Sequence, residues 1–214
     1  MQTTIFGTKF AITHFKTFMK KITISLLALF AITLTLQSCS QRRVTRINPN
    51  EMTDLSGRWN DADNKLVANA IINDMMQKPW LKEYNEKFGK KPVIIVGQIR
   101  NKTSEFIDPV AIVKEIERAC LTTGNIRVVS SAEERKEVRS EREDQQIFAS
   151  EESRKKWGKE KGADFMLNGV IYSVTDEFRN EKIVAYQSDF ELTDLETNEK
   201  VWMGQSRIKK QIRN

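Results

Sequence analysis

An uninterrupted apolar run near the start of the chain decides which residues remain free to form a folded domain. Lys20 and Lys21 precede the run, residues 22–36 form it, and small or polar residues follow it. A positive end, a short apolar core and a small residue beyond it are typical of a secretory signal. A helix over this run spans roughly 22 Å, less than a hydrocarbon core of about 30 Å. The run is therefore predicted to be a signal and not a permanent membrane span.

Cys39 follows this run directly, in the sequence Leu36-Gln37-Ser38-Cys39. This segment resembles a bacterial lipobox, in which the cysteine thiol is acylated and the cysteine becomes the new N-terminus after cleavage. The resemblance implies lipidation of Cys39. The alternative is an ordinary signal peptide that is cleaved nearby, with Cys39 unmodified.

These features divide the chain into three parts. Residues 1–38 are predicted to be the signal peptide, with Met19 as the true start. Residues 39–52 form the lipidated cysteine and a short linker, whose polar stretch of about ten residues reaches about 35 Å when extended. Residues 53–214 are predicted to form a single globular domain, since their number is sufficient for one hydrophobic core.

Much of the net charge lies in the part predicted to be removed. Residues 1–38 contain four of the 35 basic residues, none of the 29 acidic residues, and the single histidine, His14. The remainder is nearly balanced, whereas nucleic-acid binding calls for a basic patch or stripe, so no nucleic-acid partner is predicted. Cys120 has no partner cysteine once Cys39 is lipidated, so no internal disulfide is predicted.

Capping residues and apolar spacing predict the helices. Asn60 is predicted to cap the first helix, and Asp108 the second, which Gly124 ends. Ser131 opens a charged third helix with a capping box, and Ser150 is predicted to cap a short fourth helix through residue 157. The apolar stripe of the first helix is predicted to be Leu66, Val67, Ala70, Ile71 and Met75.

The strands are predicted from β-branched runs and alternation. Residues 92–97, 126–129 and 163–174 are predicted strands, and Gly169 in the third indicates a bulge or a close backbone approach. Residues 182–208 alternate on both sides of a turn, which predicts an antiparallel hairpin. The predicted fold class is therefore α+β, with a mixed or antiparallel sheet of about four to five strands and helices packed against it.

The sequence contains few groups suited to catalysis. Without His14, nucleophilic sites that need a histidine base and histidine-ligated metals are excluded, and phosphate-binding glycine motifs are missing. The chain is therefore predicted not to be an enzyme and to have no cofactor, no metal site and no catalytic residue. Two carboxylate pairs, Asp61/Asp63 and Asp189/Glu191, are the remaining acid–base candidates, although helix initiation and a solvated strand face explain them better.

Two groups of residues are candidates for binding a partner. The mixed-charge segment 133–144 is predicted to be a solvated helix with pairs such as Glu133–Lys136 and Arg139–Glu143, or else a surface that faces a partner. Trp59 is interpreted as a staple on the first helix, or, with Arg58, as an exposed binding hot spot. The candidate partner-binding residues are Arg58, Trp59, Arg139, Gln145, Gln146 and Phe148.

Four sequence blocks in order carry a family resemblance. They are TDLSGRWNDADNKLV (residues 53–67), PVIIVGQIRNKTSE (92–105), GADFMLNGVI (162–171) and DLETNEKVWMGQSRIKK (194–210). Together they resemble the Lpo-type lipoproteins, which activate penicillin-binding proteins.

The resemblance implies a domain like the N-terminal domain of TolB and a non-catalytic role. It implies a lipoprotein of the outer membrane that binds a bifunctional penicillin-binding protein and stimulates peptidoglycan synthesis. The domain is expected to face the periplasm, since residues 40–43 lack the acidic stretch that some lipoproteins use for surface display. The alternative is a structural or export component like the curli-secretion lipoproteins, for which no spare pair of membrane strands is predicted.

Overall fold

The computed structural model describes residues 43–48, 51–156 and 158–213. The predicted start at Met19, the signal and the lipidated Cys39 lie outside the described residues. The chain divides into two units, Met1–Glu51 and Met52–Asn214. In the first unit, residues 43–48 are exposed and have no regular secondary structure. Within the described ranges, no helix combines the length and the apolar character needed to cross a bilayer.

In its described residues, the second unit contains four helices and five strands. The helices are α1 (Asp61–Met76), α2 (Pro79–Phe88), α3 (Pro109–Thr123) and α4 (Ala132–Phe148). The strands are β1 (Val93–Asn101), β2 (Arg127–Val128), β3 (Phe165–Phe178), β4 (Glu181–Asp194) and β5 (Lys200–Arg213).

The five strands form one mixed sheet in the order β2-β1-β3-β4-β5. β1 is parallel to both β2 and β3, whereas β4 is antiparallel to both β3 and β5. The predicted α+β class with a mixed sheet of four to five strands is confirmed. A likeness to the TolB domain stays a prediction.

The helix starts follow the local capping signals. The Asn60 side chain accepts hydrogen bonds from the backbone N–H groups of Ala62 and Asp63 at 3.0 and 3.3 Å, and the Asp63 carboxylate accepts from the Asn60 N–H in return. The Asp108 carboxylate caps α3 by accepting from the Val110 N–H at 2.9 Å, and Gly124 ends the helix with a left-handed backbone, φ +67°. These caps satisfy N–H groups that a helix leaves without an internal partner.

The hydrophobic core lies on one face of the sheet, beneath α1, α2 and α3. Alternate residues of β3 are buried against the helices, and those between them lie on the opposite face. Burying one such aliphatic side chain stabilises the fold by roughly 1.5–3 kcal/mol. The fully buried aliphatic and aromatic residues include Val67, Ile71, Met75, Ile94, Ile112, Ile116, Leu167, Ile171, Phe190 and Leu192.

The buried stripe of α1 differs in part from the predicted one. Leu66 and Ala70 are exposed, while Ala68 and Ile72 are buried. α1 packs against both α3 and β5, so its buried arc is rotated toward the side where these two elements meet.

Gly169 does not form a bulge. β3 pairs continuously with β4 through this residue, and the register shift lies instead in the pairing of β1 with β3, between Val96 and Ile99. The Phe190 ring packs on Gly169 so closely that a Cβ atom there would lie 2.5 Å from a ring carbon. The alternative, a close approach, is therefore the one found, and the approaching group is a side chain.

The prediction of a short helix after Ser150 is wrong. Ser150 begins only a turn, in which its carbonyl accepts hydrogen bonds from the N–H groups of Ser153 and Arg154. Residues 151–156 are all polar or charged and all exposed. A short helix without an apolar face has no packing to offset its cost of nucleation.

Candidate partner-binding surface

α4 is attached to the domain by polar contacts at its start. Ser131 and Glu134 form the predicted capping box, with the Ser131 N–H donating to Glu134 Oε2 at 2.8 Å. The Lys114 ammonium on α3 pairs with both Glu134 and Glu117. None of the α4 side chains is buried, so tight apolar packing does not hold this helix.

Farther along α4, two arginines bind one carboxylate of the following loop. Arg139 donates from Nε and a terminal nitrogen to the two oxygens of Glu160 at 3.1 and 2.9 Å, and Arg142 adds a third bond at 3.0 Å. Arg139 first and then Arg142 lower the pKa of Glu160 to about 2. The predicted Arg139–Glu143 pair is therefore wrong, whereas the Glu133–Lys136 pair is present at 2.7 Å.

The two predicted glutamines orient the same loop. The Lys155 N–H donates to Gln145 Oε1 at 3.4 Å, and Gln146 Nε2 donates to the Lys155 carbonyl at 3.1 Å. Gln145 Nε2 also donates to Glu141 at 3.0 Å. Both glutamines are half-buried, and they hold the loop against α4.

The end of α4 carries two large apolar side chains in solvent, here called the α4 tip. Ile147 is 72% exposed and Phe148 is 83% exposed. Single exposed apolar residues are common, but these two are adjacent at the end of a helix held by three charge-assisted bonds to Glu160. The structure thus brings Arg139, Gln145, Gln146 and Phe148 together on one element, as the sequence indicated.

Arg58 and Trp59 belong to a separate segment, residues 53–60, here called the strap. The Trp59 ring is half-buried and meets the Tyr186 ring edge to face, with centroids 5.4 Å apart. Its Nε1 donates to Asn64 on α1 at 2.6 Å, and its backbone N–H donates to Glu105 at 3.0 Å. The staple interpretation of Trp59 is confirmed, and Arg58 alone of the pair has an exposed side chain.

A lysine of the last strand locks the strap onto the domain. Lys210 Nζ lies 2.7 Å from the Asp63 carboxylate, 2.8 Å from the Asp54 carboxylate and 2.8 Å from the Arg58 carbonyl. Burial by itself would lower the pKa of Lys210, but the hydrogen bonds to Asp54 and Asp63 outweigh it, so that pKa is raised.

Lys210 was not among the predicted site residues, although a signal for it exists in the sequence. Lys210 follows Ile208 by two residues, and Ile208 is in register with the buried Tyr186. Since successive side chains of a strand point to opposite faces, Lys210 falls on the same face as Ile208. A lysine on the apolar face of a strand indicates a buried ion pair.

The two candidate carboxylate pairs have structural partners. Asp63 caps α1 and pairs with Lys210, and Glu191 pairs with Lys200 at 2.7 Å. Burial alone would raise the pKa of Asp189, but hydrogen bonds from Tyr172, Gln205 and Gln187 lower it instead. Across residues 43–48, 51–156 and 158–213, no cluster of histidine, cysteine or carboxylate side chains is arranged to hold a metal ion.

Cys120 is a core thiol, as the helical spacing indicated. It is fully buried on α3. Burial first, and then the charge of Glu117, raise its pKa to about 12. A thiol with so high a pKa is a poor nucleophile near neutral pH.

Comparison with known proteins identifies one family. The family model of the peptidoglycan-synthase activator LpoB matches residues 63–208. This match begins in α1, includes the whole of α4 and ends within β5. No curated protein matches the chain in sequence.

Several solved structures are similar at low sequence identity. The lipoprotein GNA1162 from Neisseria meningitidis is 14% identical, with 56% of this chain and 83% of that chain covered and a TM-score of 0.38. The LpoB C-terminal domain from Salmonella enterica is 18% identical, covers 61% and 93%, and has a TM-score of 0.31. The NMR structure of Escherichia coli LpoB is 15% identical, covers 82% and 86%, and has a TM-score of 0.34.

Proposed function

The chain belongs to the LpoB family of peptidoglycan-synthase activators, and we propose from this premise that it binds a bifunctional penicillin-binding protein and activates it. The observation that carries the proposal is the family match over residues 63–208. That match confirms the resemblance predicted from the four sequence blocks. The chain is proposed to regulate peptidoglycan synthesis without taking part in the chemistry.

Activation of this kind needs only a difference in affinity. A protein that binds the active state of a synthase more tightly than its inactive state shifts the population toward the active state. The largest possible gain equals the ratio of the two affinities. A fixed binding surface is therefore sufficient, and no catalytic group is required of the activator.

The α4 tip is the proposed contact with the synthase. Ile147 and Phe148 offer apolar area, and Arg139 and Arg142 fix the neighbouring loop through Glu160. An ordered apolar anchor surrounded by polar groups is a common arrangement at binding hot spots. The exposed Arg58 on the strap is the second proposed contact. Trp59 is not proposed to touch the synthase, because its ring packs on Tyr186 and holds the strap against the domain.

The anchor is proposed to be a lipid on Cys39 in the outer membrane, with the domain facing the periplasm. The proposed linker of about ten residues keeps the domain within about 35 Å of that membrane. A synthase bound to this domain would therefore have to extend toward the outer membrane. In this proposal, contact depends on the synthase extending to the outer membrane and not on a long tether in this chain.

A binding experiment tests this surface. The full lipoprotein, solubilised in detergent, is immobilised and exposed to bifunctional penicillin-binding proteins purified from the same cells. Retention of one of them at micromolar concentration or tighter supports the proposal, and F148D is expected to weaken it by about tenfold or more. The matched control is F106D, because Phe106 is 95% exposed on the loop before α3. Equal losses in F148D and F106D, or retention of no synthase, would contradict the proposal.

A further inference from the structure

The three long strands extend beyond β1 as a small sheet, here called the wing. It consists of residues 172–178 of β3, 181–187 of β4 and 207–213 of β5, which lie side by side in register. β1 pairs with β3 only as far as Ile171. On the described part of the chain, β5 has no neighbour on its outer side. The wing therefore ends in an unpaired strand edge on both sides.

Such edges favour pairing with another chain. An unpaired edge presents a row of backbone N–H and C=O groups, which is a template for an added strand. Each edge of the wing is seven residues long, and an average strand has about five or six. Each edge is thus long enough to accept a complete strand.

The two edges carry opposite charge. Residues 172–178 contain Asp176 and Glu177 and no basic residue, whereas residues 207–213 contain four basic residues and no acidic one. Lys210 is buried beneath the strap and already paired with Asp63, so it does not contribute to the charge of this edge. The basic side chains of the second edge that are exposed to solvent are Arg207, Lys209 and Arg213.

We propose that the wing joins two copies of this chain, with the β5 edge of one copy paired to the β3 edge of the next. The register supports this arrangement. Asp176 of β3 pairs with Ile183 of β4, which in turn pairs with Gln211 of β5. If a neighbouring copy continues the sheet in this register, its Asp176 lies opposite Gln211 of the first copy. Lys209 and Arg213, two positions on either side of Gln211, are then its diagonal neighbours. Diagonal neighbours lie within reach of long side chains.

Pairing between like edges is disfavoured. Two β5 edges would place their arginines and lysines opposite one another, and two β3 edges would oppose their carboxylates. Like charges directly opposite in a sheet are destabilising. Each copy therefore offers one edge of each kind, and such head-to-tail contacts form a ring where they close and a chain where they do not.

Ion pairs within the wing leave this charge available. Arg213 lies 3.4 Å from Glu181 and Lys182 lies 4.0 Å from Glu177, with all four side chains at least 40% exposed. Exposed pairs of this kind are weak. Among the described residues, Asp176 and Lys209 form no ion pair at all.

Charge reversal on each edge tests the proposal, which does not depend on the synthase. The full chain in detergent is studied by sedimentation velocity as wild type, as D176K/E177K, as K209E/R213E and as the quadruple variant. The wild type is expected to self-associate, and each double variant to associate about tenfold more weakly or worse. Mixing the two double variants should restore assembly, with the two variants alternating, since each edge of one variant then meets an oppositely charged edge of the other. The quadruple variant should assemble again, because both edges are reversed.

The control for D176K/E177K is E83K/E86K, which makes the same charge change on exposed positions of α2. It is expected to assemble like the wild type. A wild type that stays monomeric at all concentrations would overturn the proposal and leave the basic edge as a protection against aggregation. Assembly of the double variants at wild-type strength, or failure of the mixture and the quadruple variant to associate, would overturn it equally.

Discussion

The ammonium group of Lys210 lies 2.7 Å from the carboxylate of Asp63. The bond joins the last strand to the first turn of α1, across 147 positions of sequence. Lys210 is 9% exposed and also bonds Asp54 and the Arg58 carbonyl of the strap. One buried lysine therefore fixes both α1 and the segment that leads into the domain.

Replacing this lysine is expected to destabilise the domain. In K210M, Asp63 keeps its burial but loses its cation, and breaking a buried pair in this way costs about 3 kcal/mol or more. Urea unfolding monitored by circular dichroism measures the change. The matched control is K209M, since Lys209 is exposed on the opposite face and its loss is expected to change stability by less than about 0.5 kcal/mol. Equal effects of K210M and K209M would refute the role given to Lys210.

Acid is expected to release the loop that follows α4. The pKa of Glu160 is about 2 in the folded protein because of Arg139 and Arg142, whereas a glutamate in an unfolded chain has a pKa of about 4.3. Since the folded value is depressed, the contribution to stability is present above the unfolded pKa and is lost as the pH falls toward 2. The protection factors of residues 149–156 in amide hydrogen exchange, which are corrected for the intrinsic rate at each pH, should fall over that range.

The variant E160Q provides the control for this pH dependence. It removes the charge, so low protection factors for the loop are expected already at neutral pH, with little further change in these factors on acidification. A loop that stays protected in E160Q would show that the arginine pairs do not hold it.

Gly169 is expected to tolerate no larger residue. In G169A the added Cβ would lie 2.5 Å from a carbon of the Phe190 ring, so that the ring or the strand must move. Overpacking of a core typically costs about 1–3 kcal/mol. The matched control is G162A, where no atom lies within 4 Å of the added Cβ. A thermal unfolding midpoint for G169A no lower than that for G162A would contradict this account of the Phe190 contact.

Most local elements of this fold could be predicted from sequence, since their causes are local, although α2 was not predicted and the short helix after Ser150 is absent. Asn60, Asp108 and Ser131 cap helices through bonds to residues two or three positions away. The final hairpin was predicted from alternation with period two, although its strands extend to Glu181 and Arg213. Both signals depend only on neighbouring residues.

Other errors and omissions concern partners that are distant in sequence. Arg139 bonds to Glu160, 21 positions away, and not to its helical neighbour Glu143. The carboxylate partners of Lys210 and the free edges of the wing depend on the tertiary arrangement, which no local pattern encodes. The α4 residues were predicted to lie together because they follow one another on one helix, whereas the orientation of Gln145 and Gln146 toward Lys155 required the folded loop.

The most direct test of the central claim is the rate of lipid II polymerisation by a purified bifunctional penicillin-binding protein from the same cells, with and without the full lipoprotein. The account predicts a faster rate that saturates with lipoprotein concentration, and a gain that is reduced in F148D and retained in F106D. An unchanged rate at concentrations that saturate binding would contradict the claim that this chain is an activator of the synthase.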